Sequence, residues 1–464
     1  MVKAASCRGN VSLSELRGRE RDPMKSVMAG LVLGAVLLGA HGVSAQATQR
    51  PTRPNFVVIV VDSMGYGDSE PFGVQDIRTP ALNRLAREGV RLTDGYSNGP
   101  VCTPTRAAFM TGRYQQRIGL EWALLKDRKD AGLSASEISI ATVLKDAGYA
   151  TGIFGKWHLG YTPAFSPNAN GFAEFFGILD FSVDYYSHKN IDGEPDLHEN
   201  DRLIDQPGYM TDLITERAIR FIQAHAAEPF FAYVPYNAMV LPIQPPDRPD
   251  DIRTRDTWDR ATRKDYTAMV ERMDHGVGRI LETLDRAGVS QNTLVVFTND
   301  HGGQWYSRRE PMFHEFGTVW EGGIRVPYLL RWPGRLPAGQ VSSQVVLTMD
   351  VTASILTASG ARMPNGRTLD GVDVLPVLRG ERPQIERAVF WRVDHQGRRQ
   401  KAARKGNWKY IADNGPELLF DVATDPSERR DLAYERRELL LEMRALVAEW
   451  EAEIDRAPPP FVVK

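Results

Sequence analysis

The chain has 464 residues, of which 42% are apolar and 25% charged, and 57 Lys and Arg against 59 Asp and Glu leave a formal net charge of −2. This composition is ordinary for a globular protein. It excludes a chain that is disordered over most of its length and a nucleic-acid binder that works by bulk positive charge. The two cysteines are Cys7 and Cys102, and whether they could pair depends on the fate of the N-terminus.

The N-terminal segment has the layout of a secretory signal peptide. Residues 28–40 form an apolar run of 13 residues, and small residues at 43–45 occupy cleavage-like positions. A run this short does not span a bilayer comfortably, so we expect no transmembrane anchor; a buried apolar helix is the alternative. The pattern predicts that residues 1–45, with Cys7, are an extension and signal peptide, and that the mature protein begins near Gln46 in the periplasm or outside the cell.

Four continuous apolar runs predict buried strands, and three of them end next to Asp62, Lys156 and Asp300. Continuous apolar strands are typical of a sheet covered on both faces. A helical pattern over 266–287 and others like it lie between the runs, which indicates a largely parallel α/β sheet. Ligands bind beyond the carboxyl ends of such strands, where these three residues lie. The runs are 55–61, 149–154, 229–236 and 293–298.

The pattern changes from about residue 385 onward. Short strand-like runs are followed there by a helical pattern over 432–454. This predicts a smaller C-terminal α+β subdomain over 384–464, after a catalytic α/β domain over 51–383. The strand-like runs are 388–393, 408–412 and 418–422.

The segment from Cys102 to Arg106 reads Cys-Thr-Pro-Thr-Arg and is followed six residues later by Gly112. Pro104 suits the first position of a helix and Gly112 suits its end. Residue 102 would then lie at a helix N-terminus, where an oxyanion or a sulfate is favoured. Arg106 would lie one turn further along, in reach of that anion. The alternative for Cys102 is a buried structural thiol.

This segment resembles the C/S-x-P-x-R signature of the sulfatase family, and further family blocks follow in order over roughly residues 54 to 440. The resemblance implies an alkaline-phosphatase-like fold: a large mixed, mostly parallel sheet sandwiched by helices, with a smaller C-terminal α+β subdomain. The matching blocks are VDSMGYGD at 61–68, FGKWHLG at 154–160, FTNDHGG at 297–303, WEGGIRVP at 320–327, and the segments 369–380, 404–411 and 419–428.

The resemblance also implies the chemistry. Cys102 would be converted by a formylglycine-generating maturation enzyme to 3-oxoalanine (formylglycine), whose hydrated aldehyde attacks sulfur. Lys156 would bind the sulfate, His158 would take a proton when sulfate is released, and Arg106 would stabilise charge. A divalent cation is implied, Ca²⁺ first and Mn²⁺ or Mg²⁺ as alternatives. Its implied ligands are Asp62, Ser63, Cys102, Asp300 and His301.

Four positions depart from the family pattern. Ser63 stands for an Asp, which either weakens a hard-cation site or leaves a gap that water fills. His301 stands for an Asn, and an imidazole nitrogen tilts the site toward manganese-like ions. Val240 replaces a histidine and Phe316 a lysine, so general-acid assistance, typically worth roughly 10²–10⁴ in rate, is weakened. A lost carboxylate and a lost lysine offset each other in charge, which favours joint remodelling of the site.

Other side chains are candidates for contacts with the substrate. His314, Arg308 and Arg309 lie on the loop before Phe316 and could reach the leaving group, or they are solvated loop residues. His188, in a segment that varies with substrate in the family, could contact a sugar. The predicted substrate-binding residues are Lys156, His188 and His314.

These observations predict hydrolysis of sulfate monoesters, on a sulfated glycan or an aryl sulfate, with no nucleic-acid partner. One alternative is a phosphonate monoester or phosphodiester hydrolase of the same fold, because a less cationic pocket suits a singly charged diester. Another is a weakly active or inactive glycan-binding protein of the sulfatase fold. The intact segment around Cys102 argues against that last alternative.

Overall fold

The computed structural model describes residues 53–456, 459 and 461–463. The predicted signal peptide, residues 1–45 with Cys7, lies outside the described residues. Within the described part of the chain, no helix combines the length and the apolar character needed to cross a membrane.

Sixteen strands and nine α-helices make up the described chain. The strands are β1 Asn55–Val61, β2 Val90–Leu92, β3 Gly95–Tyr96, β4 Ala150–Lys156, β5 Glu174–Ile178, β6 His198–Glu199, β7 Arg202–Leu203, β8 Phe230–Pro235, β9 Thr293–Asn299, β10 Tyr328–Arg331, β11 Gln340–Ser342, β12 Val346–Leu347, β13 Ala388–His395, β14 Arg398–Lys405, β15 Trp408–Asp413 and β16 Glu417–Asp421. The helices are α1 Pro80–Glu88, α2 Cys102–Thr111, α3 Ile140–Asp146, α4 Met210–Ala224, α5 Arg263–Arg286, α6 Glu321–Ile324, α7 Thr348–Ser359, α8 Leu375–Leu378 and α9 Arg437–Ile454.

Ten strands form the large sheet, in the order β11-β2-β10-β9-β1-β8-β4-β5-β6-β7. The central strands β9, β1, β8, β4 and β5 run parallel, whereas β10, β6 and β7 pair antiparallel with their neighbours. Val61 of β1 pairs with Asn299 of β9. Since the two strands end side by side, Asp62 and Asp300 emerge next to each other at one edge of the sheet.

Helices cover both faces of this sheet, which explains the continuous apolar runs. Val57, Ile59 and Val61 of β1 pack into a core with residues of α1, α4 and α5. The alternate residues Phe56 and Val58 pack on the opposite face with residues of α2, α3, α7 and α8. Successive side chains of a strand point to opposite faces, so both sets have to be apolar. The predicted α/β class is confirmed.

The C-terminal part contains an antiparallel sheet of β13 to β16, against which α9 packs. Three of its strands match predicted runs. The fourth, β14, reads RRQKAARK and was missed, because its buried residues are two alanines, Ala402 and Ala403, and two polar residues, Gln400 and Arg404, which give no apolar run. The C-terminal α+β subdomain is confirmed, and a domain boundary at residue 384 stays a prediction.

A buried charge cluster ties this sheet to the large one. Lys409 of β15 places Nζ 2.8 Å from Glu321 Oε1 and 2.8 Å from Glu428 Oε1, and all three side chains are 0% exposed. Burial works to raise the pKa of Glu321, but Lys409 and Arg325 outweigh it and hold that pKa at about 2. Burial raises the pKa of Glu428 to about 7 despite the same lysine. Lys409 is therefore the largest of the positive charges that allow Glu321 to be ionised inside the protein.

Replacing Lys409 by Met removes this partner and leaves buried carboxyl groups uncompensated. We expect the free energy of unfolding, measured by urea denaturation, to fall by about 3–5 kcal/mol. The matched control is Lys405→Met on β14, whose ion pair with Glu442 is half exposed at 50% and 51%; it should cost about 0–1 kcal/mol. Equal losses in the two variants would show that burial of the Lys409 charge is not what matters.

Candidate active site

Helix α2 carries the central cysteine. It begins at Cys102 and ends at Gly112, which adopts the left-handed conformation with φ 65° and returns its N–H to the Ala108 carbonyl. A glycine adopts this conformation without steric cost, so the predicted stop is correct. The helix begins two residues earlier than the position of Pro104 suggested, because Cys102 itself adopts helical geometry. Its thiol is buried and forms no disulfide within the described chain.

Four potential ligands converge where β1 and β9 end. Asp62, Cys102, Asp300 and His301 each offer one atom, and these four atoms lie within 4.8 Å of one another. The Cys102 sulfur is 3.7 Å from Asp62 Oδ2 and 3.3 Å from His301 Nε2. His301 Nε2 is 3.4 Å from both Asp62 Oδ1 and Asp300 Oδ1. The structure thus brings together four of the five predicted metal ligands through their donor atoms.

Two buried cations hold the carboxylates. Lys156, at the end of β4, places Nζ 2.6 Å from Asp62 Oδ2 and 3.2 Å from the Cys102 sulfur. Arg106 donates to Asp300 Oδ2 at 2.7 Å, to Asp62 Oδ2 at 3.1 Å and to the Lys156 carbonyl at 2.9 Å. Since Arg106 is 1% exposed and its donors are engaged in this way, its contacts fit a positioning role better than direct contact with substrate.

The electrostatics follow from this packing. Burial works to raise the pKa of Asp62, but Lys156, His301 and Arg106 outweigh it and hold that pKa well below its usual range. Burial and the neighbouring Asp62 charge raise the pKa of Asp300. Burial works to lower the pKa of His301, but Asp300 and Cys102 raise it well above its usual value. The region around Asp62 and Asp300 therefore attracts positive charge.

The donor set fits a divalent cation. Asp300 Oδ1 is buried, accepts no hydrogen bond from any described residue and lies 3.4 Å from His301 Nε2, so a cation bound between the two would give this oxygen a close partner. Carboxylate oxygens suit hard cations, and an imidazole nitrogen broadens the choice toward transition metals. Ser63, the fifth predicted ligand, has φ 62° and donates its hydroxyl to Asp62 Oδ1 at 2.9 Å and toward Gln304 Oε1 at 3.4 Å. It therefore orients a ligand in this structure.

His158 is arranged as a neutral base. Its Nε2 lies 2.9 Å from the Leu124 carbonyl oxygen. A carbonyl only accepts, so Nε2 carries the hydrogen and Nδ1 bears the lone pair. Nδ1 is buried without a partner among the described residues, and burial together with Lys156 holds the pKa of His158 well below its usual value. No sequence pattern marks Leu124, so this contact could not be predicted.

One of the positions expected to depart from the family pattern, Phe316, lies against the cluster, and the segment that contains a second, Val240, passes close to it. The Phe316 ring contacts the His301 ring edge to face, with centroids 4.6 Å apart. The segment containing Val240 runs beside Asp62, whose N–H donates to the Ala238 carbonyl at 2.8 Å. At position 316, where the resemblance leads us to expect a lysine, the cluster thus meets an apolar ring.

The other predicted substrate contacts have partners elsewhere. The His314 ring packs on Trp320 with centroids 4.3 Å apart. Arg308 pairs with Asp76 at 3.3 Å, and Arg309 pairs with Glu315 at 2.8 Å. His188 is 3% exposed, and its Nε2 bonds the Gly208 carbonyl at 3.0 Å. These partners lie outside the metal cluster, so the role of the four residues in substrate binding stays a prediction.

Comparison with known proteins places the chain in a family. The sulfatase family profile matches residues 54–361, and the C-terminal profile of N-sulphoglucosamine sulphohydrolase matches residues 309–453. N-acetylgalactosamine-6-sulfatase of Mus musculus is 33% identical over an alignment 401 residues long, which covers 81% of this chain and 74% of that protein. Arylsulfatase G of Homo sapiens is 31% identical, over 79% of this chain and 77% of its own.

The crystal structure of Ps i-CgsB in complex with k-i-k-neocarrahexaose has a TM-score of 0.82 and 31% identity, over 89% of this chain and 95% of that one. The fold is the alkaline-phosphatase-like fold, as expected. The chain belongs to the sulfatase family, a family of sulfuric ester hydrolases.

The state of His158 can be measured directly. At pH 6.5 we expect its ring to be neutral and protonated on Nε2, because burial and Lys156 disfavour the charged form. His225 is the internal control: burial works to lower its pKa, but Glu228 and Glu174 raise it overall, so it should be charged at the same pH. Nitrogen chemical shifts of ¹⁵N-histidine-labelled protein, assigned with His158→Gln and His225→Gln, report both. A charged His158 ring at pH 6.5 would contradict the tautomer argument.

Proposed function

We propose that this protein hydrolyses sulfate monoesters of a glycan or an aryl alcohol, with Cys102 matured to formylglycine and with a divalent cation. The observation that carries the proposal is the convergence of Asp62, Cys102, Asp300 and His301 within 4.8 Å, at the N-terminus of a helix. The partial positive charge of that terminus favours a sulfate group.

Asp62, Asp300 and His301 would hold the cation, with Ser63 supporting Asp62. Bound there, a divalent cation supplies Lewis-acid stabilisation of negative charge on the transferred group. Formylglycine at position 102 would supply the nucleophilic oxygen. To bind the cation, the carboxylates of Asp62 and Asp300 have to keep their orientation toward residue 102. The hydrogen bonds from Arg106 to both of them fix that orientation.

The remaining residues have separate roles. Lys156 reaches both Asp62 and residue 102, so its ammonium would bind a sulfate oxygen close to the reacting atom. His158 offers Nδ1 as a proton acceptor, and the Leu124 carbonyl fixes the ring in the tautomer that leaves this atom free. A neutral imidazole at near-neutral pH is what a general base needs.

Substrate and location are inferred from relatives and sequence. N-acetylgalactosamine-6-sulfatase and the complex of Ps i-CgsB with k-i-k-neocarrahexaose favour a sulfated sugar over a simple aryl sulfate. We infer export to the periplasm or the medium from the pattern in residues 1–45. A formylglycine-generating maturation enzyme is then a required partner.

Maturation and activity should appear together. Protein made with the maturation enzyme should carry an aldehyde at residue 102 in its tryptic peptide and should hydrolyse 4-methylumbelliferyl sulfate. Cys102→Ala should lower kcat by about 10⁴-fold or more, because it removes the nucleophile. Mass spectrometry and fluorescence measure the two properties. Unmodified cysteine in every preparation would overturn the proposal, and faster hydrolysis of an aryl phosphonate would establish the phosphonate or phosphodiester reaction instead.

Phe316→Lys restores the lysine of the family pattern, yet we expect kcat on the aryl sulfate to rise by less than about tenfold. The new ammonium would enter beside His301, in a site where Ser63 has already removed a negative charge. Phe316→Leu is the control for loss of the ring contact. A gain of about 10² or more in kcat would show that the lysine alone was missing and that the site was not remodelled as a unit.

A further inference from the structure

The turn that joins β13 and β14 contacts the loop that carries Phe316, next to the candidate active site. Arg398, the first residue of β14, donates from Nη1 to the Gly317 carbonyl at 2.7 Å. Gly317 donates its own N–H to the Pro100 carbonyl at 2.9 Å, two residues before Cys102. Two hydrogen bonds therefore connect the C-terminal hairpin to the segment that carries the nucleophile.

An aromatic pair lies beside this arginine. The rings of Trp122 and His395 stack with centroids 4.2 Å apart and planes at 14°, and both side chains are half-buried. A Cβ built on Gly317 would lie 3.1 Å from Arg398 Nη1 and 3.4 Å from Trp122 Cη2. Trp122 lies two residues before Leu124, whose carbonyl accepts the hydrogen bond from His158 Nε2. The aromatic pair and the Arg398 guanidinium thus lie on either side of Gly317, next to Phe316.

A buried side chain fixes the hairpin in this position. Gln400 is 3% exposed; its Oε1 accepts the Val319 N–H at 3.1 Å and its Nε2 donates to Asp413 Oδ2 at 2.8 Å. The same Asp413 oxygen accepts the indole N–H of Trp320 at 3.0 Å. The hairpin and the loop after Phe316 are therefore one hydrogen-bonded unit, which is the kind of support that a binding site needs.

Arg398 supplies a cation next to the position where the loop carries Phe316. The loop's own arginines are engaged, Arg308 with Asp76 and Arg309 with Glu315. Arg398 is exposed. A guanidinium has five N–H donors, and the hydrogen bond to Gly317 uses one of them.

We propose that Trp122, His395 and Arg398 form a second subsite, which binds an anionic sugar residue next to the one that carries the scissile sulfate. This inference rests on the proposed sulfatase activity. The aromatic pair offers a flat apolar surface for the C–H face of a pyranose. Arg398 pairs with a sulfate or a carboxylate on that sugar. The substrate class is accordingly a glycan with more than one anionic group.

Binding can be measured without catalysis, on full-length protein whose Cys102 is left unconverted. Isothermal titration calorimetry would compare three hexasaccharides: κ-carrageenan, which carries sulfates; hyaluronan, which carries carboxylates; and neutral agarose. We expect at least one anionic hexasaccharide to bind at least about tenfold more tightly than the neutral one. The anion that binds identifies the group that the subsite prefers.

The variants test the arginine. Arg398→Gln keeps a donor for Gly317 but removes the charge, and it should weaken anionic hexasaccharide binding by about tenfold or more. Arg399→Gln is the matched control, since Arg399 is also exposed and successive side chains of a strand point to opposite faces. It should change the dissociation constant less than about twofold. Arg398→Lys should retain more binding than Arg398→Gln.

Three results would overturn the subsite: no anionic hexasaccharide binds, the neutral one binds equally well, or the Arg398 and Arg399 variants lose equally. The subsite would also be overturned if Arg398→Gln raised the KM of the matured enzyme for an aryl sulfate by the same factor as it weakens hexasaccharide binding. That result would place Arg398 on the scissile sulfate. Binding that follows these expectations in a protein without sulfatase activity would instead overturn the proposed function and leave the subsite standing.

Discussion

Two carboxylates buried side by side are the constraint around which this structure is organised. Asp62 and Asp300 are both 0% exposed, and each disfavours the charge of the other. Removing ionised groups from water costs several kcal/mol each unless they are paired. Arg106 and Lys156, themselves buried, supply that pairing. A buried group of two acids and two cations is weak evidence for stability, but it is the arrangement expected where charge on a substrate has to be controlled.

The position of this group depends on contacts that reach as far as the C-terminal sheet. Gly302 follows His301 and donates its N–H to the Gly323 carbonyl at 2.8 Å. A Cβ on Gly302 would lie 1.9 Å from the Gly322 carbonyl oxygen, so only glycine permits this approach. Helix α6, which contains these two glycines, begins at Glu321, the carboxylate held by Lys409. One buried ion pair thus supports the loop that presents His301.

The departures from the family pattern are physically connected. By the resemblance read from the sequence, His301 and Phe316 stand where the family pattern has an amide and a lysine; in the structure their rings are in contact. Ser63 replaces a carboxylate, and its hydroxyl bonds the remaining one, Asp62. Together they give a site with fewer charges of both signs and with an apolar wall. In such a site, the subsite proposed around Arg398 would supply part of the affinity for an anionic substrate from outside the cluster.

The sequence by itself determined the class of fold, the edge of the sheet at which the site lies and most of the residues of the metal cluster. Apolar runs that end at Asp62, Lys156 and Asp300 identify strand ends, and parallel strands bring their carboxyl ends to one edge. Only the tertiary structure decided the rest. The tautomer of His158 depends on a carbonyl at Leu124, and the position of Arg398 depends on a hairpin whose polar strand β14 carries no hydrophobic signal. Periodicity reports which face of an element is buried, whereas contacts between loops distant in sequence depend on how the whole chain packs.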